Sequence, residues 1–231
     1  MTVLEARSVC KEFGSGGTPV AAVRDVDVVI DRGTLVAITG PSGSGKSTLL
    51  HLLGGITRPT SGSVLLEGTD LARLSDDELS LVRRRRIGFI FQRYNLFPEL
   101  SLEENVALPL ILDRVDAARA AAAARDVLET VGMTGRSRHR PDALSGGEQQ
   151  RGAIARALVT QPAVVLADEP TGALDTVNGE RVMDLLRDLV RTRGQTVVMV
   201  THDLALAATV DRRIAMRDGR VESDVGGGRP T

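Results

Sequence analysis

Short, uninterrupted apolar runs recur along this chain at intervals that suit the strands of a buried sheet. They occupy residues 35–38, 87–91, 164–167 and 196–200. Strands with apolar side chains on both faces are typical of parallel sheets, which helices cover on either side. A segment with helical spacing, 178–191, separates the last two runs, and such alternation predicts right-handed crossovers. The chain is therefore expected to have an α/β fold with a mostly parallel sheet.

The start and the middle of the chain have different patterns. Residues 3–13 and 20–30 carry β-branched side chains in partial alternation, which predicts two antiparallel strands joined by the glycine-rich loop at 14–17. From about residue 93 to 160 the pattern becomes helical, and an alanine-rich helix is predicted over 116–131.

Further local signals fix the ends of several elements. Ser75 followed by three acidic residues predicts the start of a helix, and that helix is expected to end in the four arginines at 83–86. Residues 214–221 predict a hairpin that turns at Asp218 and Gly219. The glycine-rich tail, 223–231, is expected to be disordered.

The overall composition limits the classes of function. The 231 residues carry a formal net charge of -1 and only 2% are aromatic, so neither charge nor stacking side chains favour a nucleic acid partner. No apolar stretch approaches the roughly 18 residues needed to span a bilayer, and early charged residues argue against a signal peptide. Cys10 is the only cysteine, which excludes an internal disulfide and fits a reducing cytosol.

The segment after the first buried run carries the strongest chemical signal. It fits the pattern Gly-x-x-x-x-Gly-Lys-Ser/Thr and leads into a helical run that starts at Thr48. The backbone N–H groups of such a loop form an anion-binding nest at a helix N-terminus, the lysine reaches the outer phosphates, and the serine hydroxyl binds Mg²⁺. The motif predicts a nucleoside triphosphate site. Its residues are Gly40, Pro41, Ser42, Gly43, Ser44, Gly45, Lys46 and Ser47, together with Thr48 at the start of the helical run.

Two acidic residues follow the third buried run. Because ligands bind at the carboxyl ends of parallel strands, Asp168 is expected close to the phosphate loop, where it can hold Mg²⁺ directly or through water. Glu169 stands one residue further along and can orient or deprotonate an attacking water. The alternative is an ordinary strand end that carries two acids.

A third motif is the string LSGGEQQR at residues 144–151, which runs into a helix. Its two adjacent glycines make a second candidate anion site at a helix N-terminus. In the company of the other motifs, the string resembles the signature motif of ATP-binding cassette (ABC) ATPases. The resemblance covers roughly residues 2–222. The motifs occur in the family's order: phosphate loop, Gln92, signature, Asp168 and Glu169, Asp175, and His202.

The resemblance implies a role for each motif residue. Gln92 would contact Mg²⁺ and the attacking water, and His202 would bond that water and the γ-phosphate. Phe13 stands where the family places an aromatic ring that stacks on adenine. In this family the signature contacts the ATP of a second subunit, so two copies would dimerise head-to-tail around two ATP molecules. The residues expected to act in trans are Ser145, Gly146, Gly147, Glu148 and Asp175.

The resemblance also implies the architecture. The family has a P-loop NTPase fold, in which a mostly parallel core sheet is joined by an N-terminal antiparallel β subdomain and an inserted α-helical subdomain. One ABC ATPase domain is expected over residues 1–222. Its core would comprise about 1–92 and 160–222, and its helical subdomain about 93–159.

Within the family, residues 84–98 and 102–110 are similar to the lipoprotein-releasing and macrolide-export branch, which works with permeases of the FtsX/MacB type. A separate membrane permease would then supply the pore. The chain itself would lie in the cytoplasm, peripherally on the inner face of the plasma membrane. Residues 94–99 would line the groove that receives the permease's coupling helix, although core packing is the alternative for Tyr94, Leu96 and Phe97.

Other functions stay open at this point. The first is the ATPase subunit of an amino-acid importer. A soluble ABC ATPase of translation or DNA repair is a second, although such proteins usually carry two cassettes or a long coiled-coil insertion. The signature argues against a different P-loop enzyme, such as a kinase. The arginines at 83–86 are expected to be a solvated helix end, with a partner protein or a lipid phosphate as the alternative.

Overall fold

The structure, a computed structural model, describes residues 1–14 and 19–226. The strands are, in chain order, β1 (Thr2–Phe13), β2 (Val20–Asp31), β3 (Leu35–Thr39), β4 (Ser61–Leu66), β5 (Thr69–Asp70), β6 (Ile87–Ile90), β7 (Val164–Asp168), β8 (Val197–Val200), β9 (Arg212–Arg217) and β10 (Arg220–Gly226). The helices are α1 (Lys46–Leu53), α2 (Asp76–Arg86), α3 (Leu102–Leu112), α4 (Ala117–Thr130), α5 (Gly146–Leu158), α6 (Thr176–Arg193) and α7 (Leu204–Ala207).

The larger sheet has the strand order β10-β9-β3-β8-β7-β6. Its strands from β9 to β6 are parallel to their neighbours, and β10 pairs with β9 in antiparallel fashion. Side chains of β3 alternate between two apolar clusters: Val36 and Ile38 lie in one, and Leu35 and Ala37 in the other. Helices cover both faces, which is why these runs are apolar throughout. The expected mostly parallel sheet is confirmed.

The smaller sheet, with the order β2-β1-β4-β5, is antiparallel and contributes to the first of these clusters. The expected pair of N-terminal antiparallel strands is confirmed as β1 and β2, whose register places Phe13 opposite Val20. Apart from Gly14, the loop expected to join them lies outside the described residues.

The helical middle of the chain contains α3, α4 and α5, and all three lie between residues 93 and 159. They pack against one another, and α5 also packs against β6 of the larger sheet. The predicted start of α2 is confirmed, because Ser75 and Glu78 cap each other there. The same Ser-x-x-Glu capping box begins α3 at Ser101 and α5 at Ser145.

The C-terminal hairpin continues further than the sequence indicates. Strand β10 extends to Gly226 and is held by the Asp224 carboxylate, which accepts hydrogen bonds from the Arg212 guanidinium on β9. The expectation of disorder from residue 223 onward is therefore wrong for 223–226, because this exposed edge strand needs no apolar pattern. Residues 227–231 lie outside the described part of the chain.

The four arginines at the end of α2 reach three places in the chain, and Arg84 and Arg85 share one of them, the end of α3 at Leu112 and Asp113. Each of them makes a hydrogen bond within the chain: Arg83 to the Gly55 carbonyl, Arg84 to the Leu112 carbonyl, Arg85 to the Asp113 carboxylate and Arg86 to the Glu67 carboxylate. Across residues 1–14 and 19–226, no helix is both long enough and apolar enough to cross a bilayer.

Candidate nucleotide site

Four neighbouring strands of the larger sheet end at one edge and carry predicted site residues there. Strand β3 leads into the phosphate loop, and β7 ends at Asp168. Strand β8 ends two residues before His202, and β6 ends two residues before Gln92. Because all four strands are parallel, their carboxyl ends lie side by side, which is where α/β sheets bind ligands.

The phosphate loop needs glycine at two positions where the backbone is crowded. Gly40 has a φ of 146°, and a Cβ there would lie 2.1 Å from the Met216 carbonyl oxygen. Gly45 has a φ of 95°, and its Cβ would lie 2.2 Å from the Ala22 carbonyl oxygen. Both conformations are in the left-handed region, which favours glycine. The two ends of the loop therefore pack tightly against the Met216 and Ala22 backbones, while Pro41, Ser42 and Gly43 are exposed.

Lys46, the first residue of α1, is only 8% exposed and turns back into the loop. Its ammonium donates hydrogen bonds to the carbonyl oxygens of Gly40 at 2.9 Å and Pro41 at 2.8 Å. Among the described residues it has no carboxylate partner. A nearly buried cation without a counter-charge suits an anionic ligand such as a phosphate.

Ser47 and Asp168 meet beside this loop. The Ser47 hydroxyl donates to the Asp168 carboxylate at 3.0 Å. Magnesium prefers oxygen ligands and is held by one or two carboxylates together with substrate phosphates. Within the described residues no group of three or more His, Cys, Asp or Glu side chains forms a metal cluster. The Ser47 hydroxyl and the Asp168 carboxylate are oxygen donors of the kind that bind Mg²⁺ together with a nucleotide.

His51 also faces this corner, with its Nε2 atom 4.0 Å from the Asp168 carboxylate. The sequence offers no motif that would mark this histidine, which reads as one more position of the amphipathic helix α1. Only the packing of α1 beside β7 places it here.

Glu169 and His202 form a pair at the open end of the site. The His202 Nδ1 atom lies 2.8 Å from the Glu169 carboxylate, and the histidine side chain is 69% exposed, against 22% for the glutamate. Glu169 has a φ of 48°, and its amide donates to the Val200 carbonyl at 3.0 Å. A non-glycine residue in this region costs about 1–3 kcal/mol, and such strain concentrates at functional sites.

Gln92 approaches the same glutamate. The Gln92 Nε2 atom and the Glu169 Oε2 atom each lie 3.0 Å from the point that a Cβ on Gly172 would occupy. The amide, the carboxylate and the imidazole of His202 therefore converge on one small volume. Together they offer a proton acceptor and two polar groups that can orient a water molecule.

The signature residues stand at the first turn of α5, away from this volume. Ser145 caps the helix, and the Glu148 carboxylate accepts hydrogen bonds from the Ser145 amide and hydroxyl, both at 2.8 Å. No hydrogen bond in the described chain joins residues 145–148 to residues 40–48. Ser145, Gly146, Gly147 and Glu148 therefore make no hydrogen bond to the phosphate loop of their own chain within the described residues.

Hydrogen bonds from Ser145, helped by the Arg136 guanidinium, lower the pKa of Glu148 from 4.5 to about 2. Because the pKa is lower in the folded state, the ionised carboxylate stabilises the fold at pH values above 4.5, and this contribution is lost as the pH falls toward 2. We expect the free-energy difference of unfolding between wild type and Glu148→Gln, measured in urea, to shrink from about pH 6 to about pH 3. A difference that is constant over this range would contradict the assignment.

Asp175 and Phe13 complete the predicted set. Asp175 caps α6 and accepts hydrogen bonds from the Asn178 amide at 2.9 Å and from its side chain at 2.7 Å, which lower the pKa of the carboxyl. Phe13 is 48% exposed at the end of β1, on the same ribbon whose Ala22 contacts the phosphate loop. The Lys11 ammonium lies 5.1 Å from its ring centroid. Its exposed ring offers a stacking surface.

Asp203, the residue after His202, caps α7 by accepting hydrogen bonds from the amides of Ala205 and Leu206.

The sequence was compared with models of protein families, and the model described as "ABC transporter" matches residues 23–172. The chain belongs to the ABC transporter family. The lipoprotein-releasing system ATP-binding protein LolD of Syntrophotalea carbinolica is 48% identical over 219 residues, which are 95% of this cassette and 96% of that protein. The macrolide export ATP-binding/permease protein MacB of Bradyrhizobium diazoefficiens is 50% identical over 222 residues, which are 96% of this cassette and 34% of MacB.

Among solved structures, the cassette is similar to a dimeric ATP-binding cassette in a post-hydrolysis state, bound to ADP and Pi. That protein is 41% identical, the TM-score is 0.88, and the match covers 96% of this chain and 98% of the other. The ABC ATPase fold, ATP hydrolysis and similarity to the LolD and MacB branch, all expected from the sequence motifs, are thereby confirmed.

Proposed function

We propose that this cassette binds Mg-ATP, dimerises head-to-tail around two ATP molecules and drives a separate membrane permease of the kind served by LolD and MacB. The observation that carries the chemical part is the convergence of Glu169, His202 and Gln92 beside the phosphate loop. The cassette would accordingly lie on the cytoplasmic face of the inner membrane. Export, lipoprotein release and mechanotransduction are all activities of this type.

Each group has one task in the proposed mechanism. Lys46 and the loop amides bind and orient the phosphates, and Ser47 and Asp168 would hold the magnesium ion, which neutralises phosphate charge when bound. Gln92 and His202 orient the attacking water, and Glu169 accepts its proton. Catalysis then rests on positioning and electrostatics, because phosphoryl transfer needs little covalent chemistry from the protein.

Two facts support the dimer. No hydrogen bond among the described residues joins the signature turn to its own phosphate loop, and the similar solved cassette is dimeric with ADP and Pi bound. Closure of each site by Ser145, Gly146 and Gly147 of a second copy would supply the missing donors. Asp175, at the start of α6, would then stand at the contact between the two copies.

A groove between the helical segment and the larger sheet is the proposed docking place for the permease. It has a volume of about 270 Å³ and is lined by residues from α2, β6, α3 and α5. This is smaller than the roughly 300–1,000 Å³ of small-molecule sites, and it suits a few inserted side chains of a partner. Its floor includes Phe89 and Phe91, and Phe91 directly precedes Gln92.

The predicted docking segment, 94–99, borders this groove unevenly. Asn95 lines it and Phe97 is exposed, whereas Leu96 packs against the second apolar cluster. The Tyr94 hydroxyl lies 2.8 Å from where a Cβ on Gly146 would be, so this side chain faces the signature turn. Core packing thus accounts for Leu96, and the exposed Phe97 is available to a partner.

The charge of the groove indicates what the permease segment should carry. Its lining includes Arg83, Arg84 and Arg156 and no acidic residue. Arg156 donates to the carbonyl oxygens of Tyr94 and Asn95, has no carboxylate partner among the described residues, and has its pKa lowered by burial. A partly buried cation of this kind favours a carboxylate from the partner. The docked segment is therefore expected to be apolar with at least one Asp or Glu.

Arg156→Gln is expected to weaken binding of the permease about 10- to 100-fold, as the loss of a charge-assisted hydrogen bond predicts. The experiment is copurification and titration of the cassette with the permease encoded beside it. Arg191→Gln is the matched control, since Arg191 is an exposed arginine of α6 paired with Asp188. If Arg156→Gln bound the permease as tightly as wild type, the groove would not be the docking place. If the wild-type cassette bound only a six-span importer permease, its proposed pairing with a permease of the LolD and MacB kind would be wrong.

A further inference from the structure

Gln150 is a fully buried side chain that connects α5 to the turn after Glu169. It is 0% exposed, and its Nε2 atom donates to the Pro170 carbonyl oxygen at 2.6 Å. Its Oε1 atom is buried and has no hydrogen-bond partner among the described residues. The stabilisation from the hydrogen bond of Nε2 is offset by the cost of burying Oε1 without a donor. Stability alone therefore gives little reason for an amide at this position.

The carbonyl that Gln150 binds belongs to a tight turn. The Gly172 amide donates to the Glu169 carbonyl at 3.0 Å, which closes a four-residue turn with Pro170 at its second position. That closing bond leaves the Pro170 carbonyl free to be held from outside the turn, and Gln150 holds it. The Glu169 backbone is thus held on one side by the hydrogen bond from its amide to the Val200 carbonyl of β8. On the other side, Gln150 of α5 holds the next residue, Pro170, by its carbonyl.

The same helix begins with the signature turn. Gln150 lies one helical turn after Gly146, so a shift or rotation of α5 moves both together. Gly147 is packed against the Asn178 side chain, which in turn bonds Asp175. The turn at Gly172 abuts both Gln92 and the Glu169 carboxylate. A displacement of the Pro170 carbonyl therefore alters the geometry of the groups that orient water.

We propose that Gln150 is a positioning residue that couples the two ATP sites of the dimer. Through it, the position of the signature turn, which serves the partner's ATP, sets the position of Glu169, which serves the chain's own ATP. The trans half of this statement rests on the proposed function. The cis half, that Gln150 holds the turn of Glu169, depends only on the contacts within one chain.

Gln150→Met tests this by removing the donor while keeping the length of the side chain. We expect kcat for ATP to fall about tenfold and the Hill coefficient for ATP to fall toward one, with KM changed less than about twofold. The matched control is Gln195→Met. Gln195 also donates from Nε2 to a proline carbonyl, that of Pro162 at 3.2 Å, but lies near the opposite, amino end of β8.

A second variant guards against a folding defect in the first. In Gln150→Glu, the introduced carboxyl is buried, so desolvation raises its pKa, and only its protonated form can donate to the Pro170 carbonyl. The ratio of its kcat to that of wild type is therefore expected to fall as the pH rises through that pKa. Gln150→Met should show no such pH dependence of the ratio.

Three results would overturn the proposal. They are a kcat within twofold of wild type in Gln150→Met, equal losses in Gln150→Met and Gln195→Met, and a pH-independent ratio for Gln150→Glu. Failure of the proposed function appears separately, as a wild-type chain that does not dimerise with ATP. In that case, a loss of kcat confined to the Gln150 variants would still support the cis half, that Gln150 holds the turn of Glu169. The lack of such a loss would overturn the cis half.

Discussion

Glu169→Gln is expected to lower ATP turnover by about 10²- to 10⁴-fold, the usual contribution of a general base, while ATP binding is retained. The substitution keeps the size of the side chain and removes its ability to accept a proton. It leaves Lys46, Ser47 and the loop amides unchanged, so the phosphates keep their contacts. Because hydrolysis no longer clears the site, the variant is also expected to accumulate an ATP-bound dimer.

Phosphate release under steady state measures the turnover, and equilibrium dialysis with labelled ATP measures the affinity. The ATP-bound dimer is detected by size-exclusion chromatography with Mg-ATP present. Glu180→Gln is the matched control, since Glu180 is an exposed glutamate on α6. Turnover equal to that of wild type in Glu169→Gln would refute its assignment as the base.

The Glu169 carboxylate also contacts His202 at 2.8 Å, so the glutamine variant weakens that pair as well. His202→Gln separates the two effects. It removes the imidazole but leaves the carboxylate, and we expect a smaller loss of turnover than in Glu169→Gln, because the proton acceptor is still present. If turnover fell further in His202→Gln than in Glu169→Gln, His202 rather than Glu169 would be the principal catalytic group.

The sequence predicts which residues the fold brings together in the candidate cis site, because the physics behind that placement is local. Buried apolar runs end at Asp168 and shortly before Gln92 and His202, and parallel strands place such ends together without further information. The glycines of the phosphate loop are likewise required by the backbone itself, as the crowding at Gly40 and Gly45 makes clear. Patterns of this kind need only neighbouring residues to be understood.

The remaining features depend on contacts between distant segments. Gln150 stands inside the signature string, but its partner Pro170 is twenty residues away and across the fold. Arg156 looks like any arginine of a helix until α5 is packed beside the carbonyls of Tyr94 and Asn95. The order of residues 223–226 is another such feature, since their strand is held by the ion pair of Asp224 with Arg212 rather than by an apolar pattern.

The position of the two half-sites supplies a physical reason for the proposed dimer. In one chain the phosphate loop gathers a cation, a hydroxyl and a carboxylate, while the signature turn forms the N-terminus of α5. A helix N-terminus favours an anion by its free amides and its dipole. Bringing that end to the γ-phosphate of a second copy satisfies both at once.

Lys46→Ala is expected to weaken ATP binding by at least about 10- to 100-fold, since a charge-assisted hydrogen bond to phosphate is worth about 1.5–3 kcal/mol. The loss is expected to be large because this ammonium is nearly buried and has no carboxylate to share it with among the described residues. No other lysine can replace it: the only other one in the chain, Lys11, lies on β1 above the Phe13 ring.

Equilibrium binding of a labelled nucleotide measures the affinity, and thermal unfolding supplies the internal control. Wild type should gain stability from ATP by mass action, and Lys46→Ala should gain less at the same ATP concentration, because the gain falls as the affinity falls. Arg191→Ala removes one exposed cation from α6 and so controls for the change in net charge. If Lys46→Ala bound ATP as tightly as wild type, the loop would not be the phosphate site, and the roles assigned to Ser47, Asp168 and Glu169 around it would lose their basis.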